Sequence, residues 1–341
     1  METLFLDAKQ EGAVETAAEI LKRGGLVAIP TETVYGLAAN AFDETACANI
    51  FKAKGRPGDN PLIVHICRME MLGDIVTEVP EKARKLAEKF WPGPLTMIMK
   101  KSDKIPMVTS AHLPTVAVRF PAHPVARAII EAADLPLAAP SANLSGRPST
   151  TTFQHCVNDL TGRVDAIIDG GPCSVGLEST IISFAGEVPV LLRPGFITLE
   201  QLRETIGEVE VSHAVLEKLN EGETVLSPGM KYKHYAPKAR VSLLRGSSES
   251  YIRYVNEHAD EKGVFALCFT EEAPALSVKT VTYGSEFSDA EQAEKIFDAL
   301  RELDDMGAER VFAHSPKTTG VGLAVYNRLI RAAGFDIIDL E

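Results

Sequence analysis

A chain of 341 residues is longer than one hydrophobic core usually organises, so two domains are expected. Hydrophobic residues make up 45% and charged residues 24%, the balance of a soluble globular protein, and no apolar run approaches the roughly 20 residues that span a bilayer. The net charge of −12 argues against broad nucleic-acid binding, which draws on many Lys and Arg contacts to phosphate, so no stable nucleic-acid complex is expected.

The opening segment METLFLDAKQEG carries acids where a signal peptide is basic, and the expected compartment is cytoplasmic. Val14, Ala17, Ala18 and Leu21 recur at helical spacing ahead of Gly24-Gly25, which predicts an amphipathic helix. Short apolar or β-branched runs follow: LVAI (26–29), LIVHI (62–66), LTMIM (95–99), TVAVRF (115–120), VDAII (164–168), STIISF (179–184) and VPVLL (188–192). Helix-like segments intervene at about 43–53, 81–90, 123–133 and 198–206, the last opened by Thr198 with Glu200 and Glu204 at its positive end. Residues 1–207 therefore read as a mixed α/β domain. Cys47, Cys67, Cys156, Cys173 and Cys268 show no C-x-x-C spacing and read as core thiols.

Over 208–240 the periodicity fades and Pro, Gly, Lys and Tyr gather, which marks a linker. Beyond it, strand-like runs at 241–246, 263–269, 279–284, 310–315 and 335–340 alternate with helices near 248–259, 289–306 and 321–333. That rhythm predicts a parallel, Rossmann-like domain over 241–341. It lacks the G-x-G-x-x-G turn, so no dinucleotide is assigned to it.

Polar clusters sit at the strand ends of the first domain, where α/β folds place ligands. One is Pro30-Thr31-Glu32-Thr33-Val34-Tyr35-Gly36-Leu37, which also reads as a hydroxyl-rich turn. Another holds Lys52, Lys54 and Arg56 ahead of Asn60 and His65; it fits a phosphate cradle, or equally a solvated loop with a core histidine. Arg119 closes an apolar strand and needs a partner or a ligand. Residues 138–151, including Ser141, Asn143, Ser145, Arg147 and Ser149, are mostly small and polar, suited to a backbone nest for an anion or to a flexible loop. Glu178, Ser179 and Thr180 open a strand, and Arg193 closes the next. Five such clusters on one domain favour an anion-binding pocket without a Walker A sequence.

Lys54-x-Arg56, Ser141-x-Asn143 and PTETVYGL together resemble the YrdC-type threonylcarbamoyl-AMP synthases. The resemblance spans about residues 10–207, and SPGMKYKHYAP (227–237) followed by a Rossmann-like domain is similar to the long, two-domain form. It implies a YrdC-like twisted mixed sheet, and a nucleotidyltransferase that joins ATP, L-threonine and bicarbonate into threonylcarbamoyl-AMP with loss of pyrophosphate and Mg²⁺ assistance. A separate transferase complex would then use the product in modifying tRNAs that read codons beginning with A. Carried over, Thr33, His65, Arg119, Ala139 and Ser179 would contact L-threonine. Arg56, Asn60, Thr115, Ser141, Asn143, Ser149, Arg193 and Tyr235 would contact ATP, with Lys54 and Arg56 at the reacting phosphates. Lys231, Tyr232, Lys233, His234 and Tyr235 would fold over the pocket as a lid. No resident metal site is implied.

A non-catalytic RNA-binding module is the rival from another class, and the acidic total weighs against it. The carbamoyl-adenylate enzyme of hydrogenase maturation would bring paired C-x-x-C zinc motifs, which this sequence lacks.

Overall fold

The computed structural model describes residues 2–217 and 235–340. The lid positions Lys231 to His234 lie outside the described residues. The first sheet contains β1 (Leu4–Asp7), β2 (Val27–Ile29), β3 (Gly36–Asn40), β4 (Ile63–His65), β5 (Leu95–Lys100), β6 (Thr115–Arg119), β7 (Leu137–Ala138), β8 (Ala166–Asp169), β9 (Thr180–Ser183), β10 (Val190–Arg193) and β11 (Glu210–Val211). Their spatial order is β1-β8-β2-β3-β7-β4-β6-β5-β9-β10-β11, with parallel and antiparallel pairs mixed. Helices α1 (Ala13–Lys22), α2 (Glu44–Lys54), α3 (Leu72–Ile75), α4 (Glu81–Phe90), α5 (Pro124–Ala133), α6 (Phe153–Leu160) and α7 (Leu199–Ile206) accompany it.

Local chemistry accounts for these elements. Asp43 caps α2 by accepting from the Thr45 and Ala46 amides, and Gly55 ends it at φ 61°, a conformation that spares glycine the Cβ clash. Thr198 and Gln201 form a reciprocal capping box on α7. The expected strands appear, with ends displaced by one or two residues. Six elements of this unit were not anticipated: β1, β3, β7, β11, α3 and α6; β11 lies within the segment 208–240 read as a linker and pairs in parallel with β10. The segment read as a turn after β2 leads directly into β3, which runs antiparallel to β2 in a hairpin. The five cysteines are all buried and unpaired.

The second unit is the expected parallel sheet with helices. It comprises β12 (Arg240–Arg245), α8 (Ser248–Glu257), β13 (Val264–Cys268), β14 (Lys279–Thr282), α9 (Asp289–Asp305), β15 (Arg310–His314), α10 (Gly322–Ala332) and β16 (Ile337–Asp339). All its pairs are parallel, in the order β14-β13-β15-β12-β16. Among the described residues no helix is long and apolar enough to cross a membrane.

The two units share apolar packing: Val34 and Leu177 of the first belong to the same buried cluster as Phe297, Leu300 and Val325 of the second. Close approach occurs at Gly176, whose φ is +74° and where an added Cβ would lie 2.4 Å from the Glu294 Cα and 2.6 Å from the Ala293 carbonyl oxygen. Gly176→Ala is expected to lower the unfolding free energy of the full chain by at least about 1 kcal/mol from the left-handed backbone alone. The urea midpoint is the measurement; an unchanged midpoint contradicts the close approach.

Candidate active site

Strand direction brings the polar clusters to one edge of the sheet. In the parallel register of β4 and β6, His65 lies beside Arg119. Thr96 on β5 is opposite Arg119, and Ser179 immediately precedes β9. Arg193 ends β10, which runs antiparallel to β9 and so returns to the same edge.

Arg119 is buried and well satisfied. Its Nη2 donates to Glu32 Oε1 at 2.5 Å, Nη1 to Thr33 Oγ1 at 2.6 Å and Nε to the Gly93 carbonyl at 3.2 Å. A guanidinium has five N–H donors, so one hydrogen on each terminal nitrogen remains for a ligand carboxylate. Burial alone would raise the Glu32 carboxyl, but Arg119 more than offsets this and holds it below its ordinary value. Burial, reinforced by the Arg119 charge, pushes His65 down to about 3, so the ring is neutral. Its Nδ1 donates to the Ile63 carbonyl at 3.1 Å, which leaves Nε2 as an acceptor. Thr96 and Ser179 hydroxyls meet at 2.7 Å, and Arg193 donates to the Ser179 carbonyl at 3.0 Å and hydroxyl at 3.2 Å.

The other side of the cavity is cationic. Lys54, in the last turn of α2, is buried and donates to the backbone carbonyls of Ser141 and Asn143, the latter at 2.6 Å. Burial, with Arg56 beside it, lowers the ammonium to about 7. Arg56 donates to the Asn60 carbonyl at 3.1 Å. Ser141 donates its hydroxyl to Asn143 Oδ1, and the Asn143 amide donates to the Leu144 and Arg147 carbonyls, which folds the segment 141–147 into a fixed loop. Burial brings Arg193 down to about 10, still charged at neutral pH.

One cavity is walled by Thr33, His65, Arg119, Ala139 and Ser179 together with Lys54, Arg56, Ser141, Asn143, Arg193 and Tyr235. These are most of the residues anticipated from sequence. Three others stand off that wall. Ser149 is buried behind it, donating to Glu178 Oε1. Thr115 begins β6, at the opposite end of the strand from Arg119. Asn60 is buried, and its side-chain amide has no hydrogen-bond partner among the described residues.

Glu32 and Glu178 fall within the polar clusters read from sequence, but neither is given a site role there. Each is a carboxylate among hydroxyls at a strand end, and the signal available was that a buried acid in such a segment needs a cation. Glu178 lines the cavity and accepts from Arg328 Nε at 2.8 Å. Nothing in the local sequence pairs these two positions.

Residues 19–195 match the Sua5/YciO/YrdC family, described under the heading of telomere recombination. Residues 197–334 match the threonylcarbamoyl-AMP synthase C-terminal domain. A threonylcarbamoyl-AMP synthase of Pyrococcus abyssi is 44% identical over 340 residues, with 96% of each chain covered. One of Bacillus subtilis is 45% identical over 328 residues, covering 95% of this chain and 94% of the relative. The crystal structure of P. abyssi Sua5 complexed with L-threonine is similar over 100% of both chains, with TM-score 0.92 and 41% identity.

The state of Lys54 yields a test. At pH 8 a lysine that titrates at about 7 is mostly neutral, and a polyphosphate placed beside it favours the charged form. ATP binding at pH 8 is therefore expected to take up a proton, whereas at pH 6, where Lys54 is already charged, uptake at this group disappears. Calorimetry in two buffers of different ionisation enthalpy reads this directly, and Lys54→Met should abolish the pH 8 uptake. Buffer-independent heats in the parent would contradict the assignment.

Proposed function

This chain belongs to the threonylcarbamoyl-AMP synthase family, and we propose that the cavity at the sheet edge holds L-threonine and ATP side by side for that reaction. The enzyme makes threonylcarbamoyl-AMP from ATP, L-threonine and bicarbonate. Support for the two half-sites comes from one wall that sets the Arg119–Thr33 pair beside Lys54, Arg56 and Arg193.

In this reading the two remaining Arg119 hydrogens take the threonine carboxylate as a fork. His65 Nε2 and the Ser179 hydroxyl offer polar contacts to the rest of the amino acid, while Ala139 limits its size. The threonine amine and bicarbonate form a carbamate with loss of water. A carbamate oxygen then bonds to the α-phosphorus of ATP as the bond from that phosphorus to the bridging oxygen breaks and pyrophosphate departs, which makes the chain a nucleotidyltransferase. Lys54, Arg56 and Arg193 offset the negative charge of the triphosphate, and Ser141, Asn143 and Tyr235 bound its position. Catalysis of this kind needs placement and charge neutralisation rather than a covalent nucleophile.

Asn60, with its buried and unmatched amide, is a further candidate for the nucleotide; Thr115 and Ser149 join it only if the ligand reaches past the wall. Mg²⁺ would arrive on the ATP phosphates and neutralise charge on the leaving pyrophosphate. The wall is mainly cationic, and its carboxylate, Glu178, is committed to Arg328. The product would pass, in the cytoplasm, to a tRNA threonylcarbamoyl transferase complex.

Pyrophosphate release is expected to require both L-threonine and bicarbonate; turnover indifferent to either overturns the reading. Arg56→Ala should impair mainly ATP use and Arg119→Ala mainly threonine affinity, each by tenfold or more on the order of 1.4 kcal/mol per decade. Identical defects in the two variants, measured by varying each substrate in turn, contradict the division of the cavity.

A further inference from the structure

We propose that Arg301 and Arg328, on successive helices of the second unit, are positioning residues for the nucleotide half of the cavity, a role that rests on the ATP reading above. Each crosses to the first unit and fixes a loop, and the two loops meet at Ser149.

Arg301 lies on α9. Its Nη2 donates to the Pro148 carbonyl at 2.6 Å and to Asp159 Oδ2 at 3.0 Å, its Nη1 to Asp159 Oδ1 at 3.3 Å and its Nε to the Ser149 carbonyl at 3.4 Å. The Asp159 side chain is fully buried and also accepts from the Leu144 amide at 3.1 Å and from Arg147 Nη1 at 3.0 Å. Burial would raise the Asp159 carboxyl, but the Arg301 hydrogen bond and charge more than compensate and keep it below its usual value. One carboxylate and one guanidinium thus pin residues 144, 147, 148 and 149 from the outside. From the inside, Lys54 pins residues 141 and 143 of the same loop.

Arg328 lies on α10 and is fully buried. It donates to Glu178 Oε2 at 2.8 Å, to the Glu178 carbonyl at 3.3 Å and to the Pro194 carbonyl at 3.0 Å. The other oxygen of Glu178 accepts the Ser149 hydroxyl. Ser149 is therefore held through its carbonyl by Arg301 and, by way of Glu178, through its hydroxyl by Arg328.

Docking alone does not call for this arrangement. Val34 and Leu177 already bury apolar surface against the second unit, and desolvating arginines and carboxylates is unfavourable unless the geometry satisfies nearly every donor and acceptor. What such a network supplies is a defined position for the groups it touches, and those groups are the backbone of the loop bearing Ser141 and Asn143.

The test uses full-length protein and calorimetric titration with ATP and, separately, with L-threonine. Arg301→Met is expected to weaken ATP binding by about tenfold or more, since a displacement near 1 Å of a positioning loop has effects of this size, and to leave threonine binding unchanged. Arg301→Lys keeps a cation beside Asp159 but cannot fork between it and Pro148; it should show the same selective loss in lesser degree, and it stands in if the Met variant does not fold. Unchanged ATP affinity in either variant, or equal weakening of ATP and threonine, overturns the proposal. A parent that binds ATP but releases no threonine-dependent pyrophosphate would count against the proposed reaction instead, and the clamp would still be judged by ATP affinity.

Discussion

The carboxylate of Glu178 is the interaction on which the arrangement turns. It is buried, and burial by itself would raise its pKa, yet the charges of Arg328 and Arg193 and the hydrogen bonds from Ser149 and Arg328 keep it ionised. A charge in that position organises its surroundings because each neighbour must present a donor. Donors arrive from the 141–149 loop, through Ser149, and from α10, through Arg328, while Arg193 on β10 adds its charge, so one ionised group ties the cavity to the second unit. Sign matters here: its contribution to stability is present above the ordinary carboxylate pKa and is lost as pH falls through the lowered folded value.

A second ion pair, Arg119 with Glu32, orders the opposite wall in a different way. It spends only part of its donor capacity on the protein, which is what a binding group requires: fixed in place by three contacts and still able to receive a planar anion. Lys54 contrasts with it. Its ammonium is held by backbone carbonyls and lies at a lowered pKa, so its charge responds to what enters the cavity.

Much of this was legible in the sequence. Runs such as LTMIM and TVAVRF are β-branched or apolar and stand between Pro and Gly, so their strand character is local. The segment GLAAN is not of that kind; small residues carry no strong strand preference, and β3 forms because β2 and β7 flank it. Helix α6 was hidden for a similar reason, since it follows closely on the hydroxyl-rich stretch 138–151 and is capped by the next residue, Thr152. The site residues were readable where a charge interrupts an apolar strand, as at Arg119, and where cations cluster after a helix, as at Lys54 and Arg56. The partners of those charges were not readable when they lie far along the chain. Arg328 is 150 residues from Glu178, and Arg301 is 142 from Asp159. Local patterns carry no information about such pairings, which exist only once both units have folded and met.

Gly176 gives the contact between the units an evolutionary dimension. A backbone that passes well inside van der Waals contact of a hypothetical methyl leaves no room for side-chain growth on that face, and its left-handed turn disfavours most substitutions independently. The first unit thus carries, in the residue just ahead of Leu177 and Glu178, a constraint imposed by the second. Drift at that glycine would be judged by the fit of α9 rather than by any substrate, so the two halves of this chain are bound to change together there.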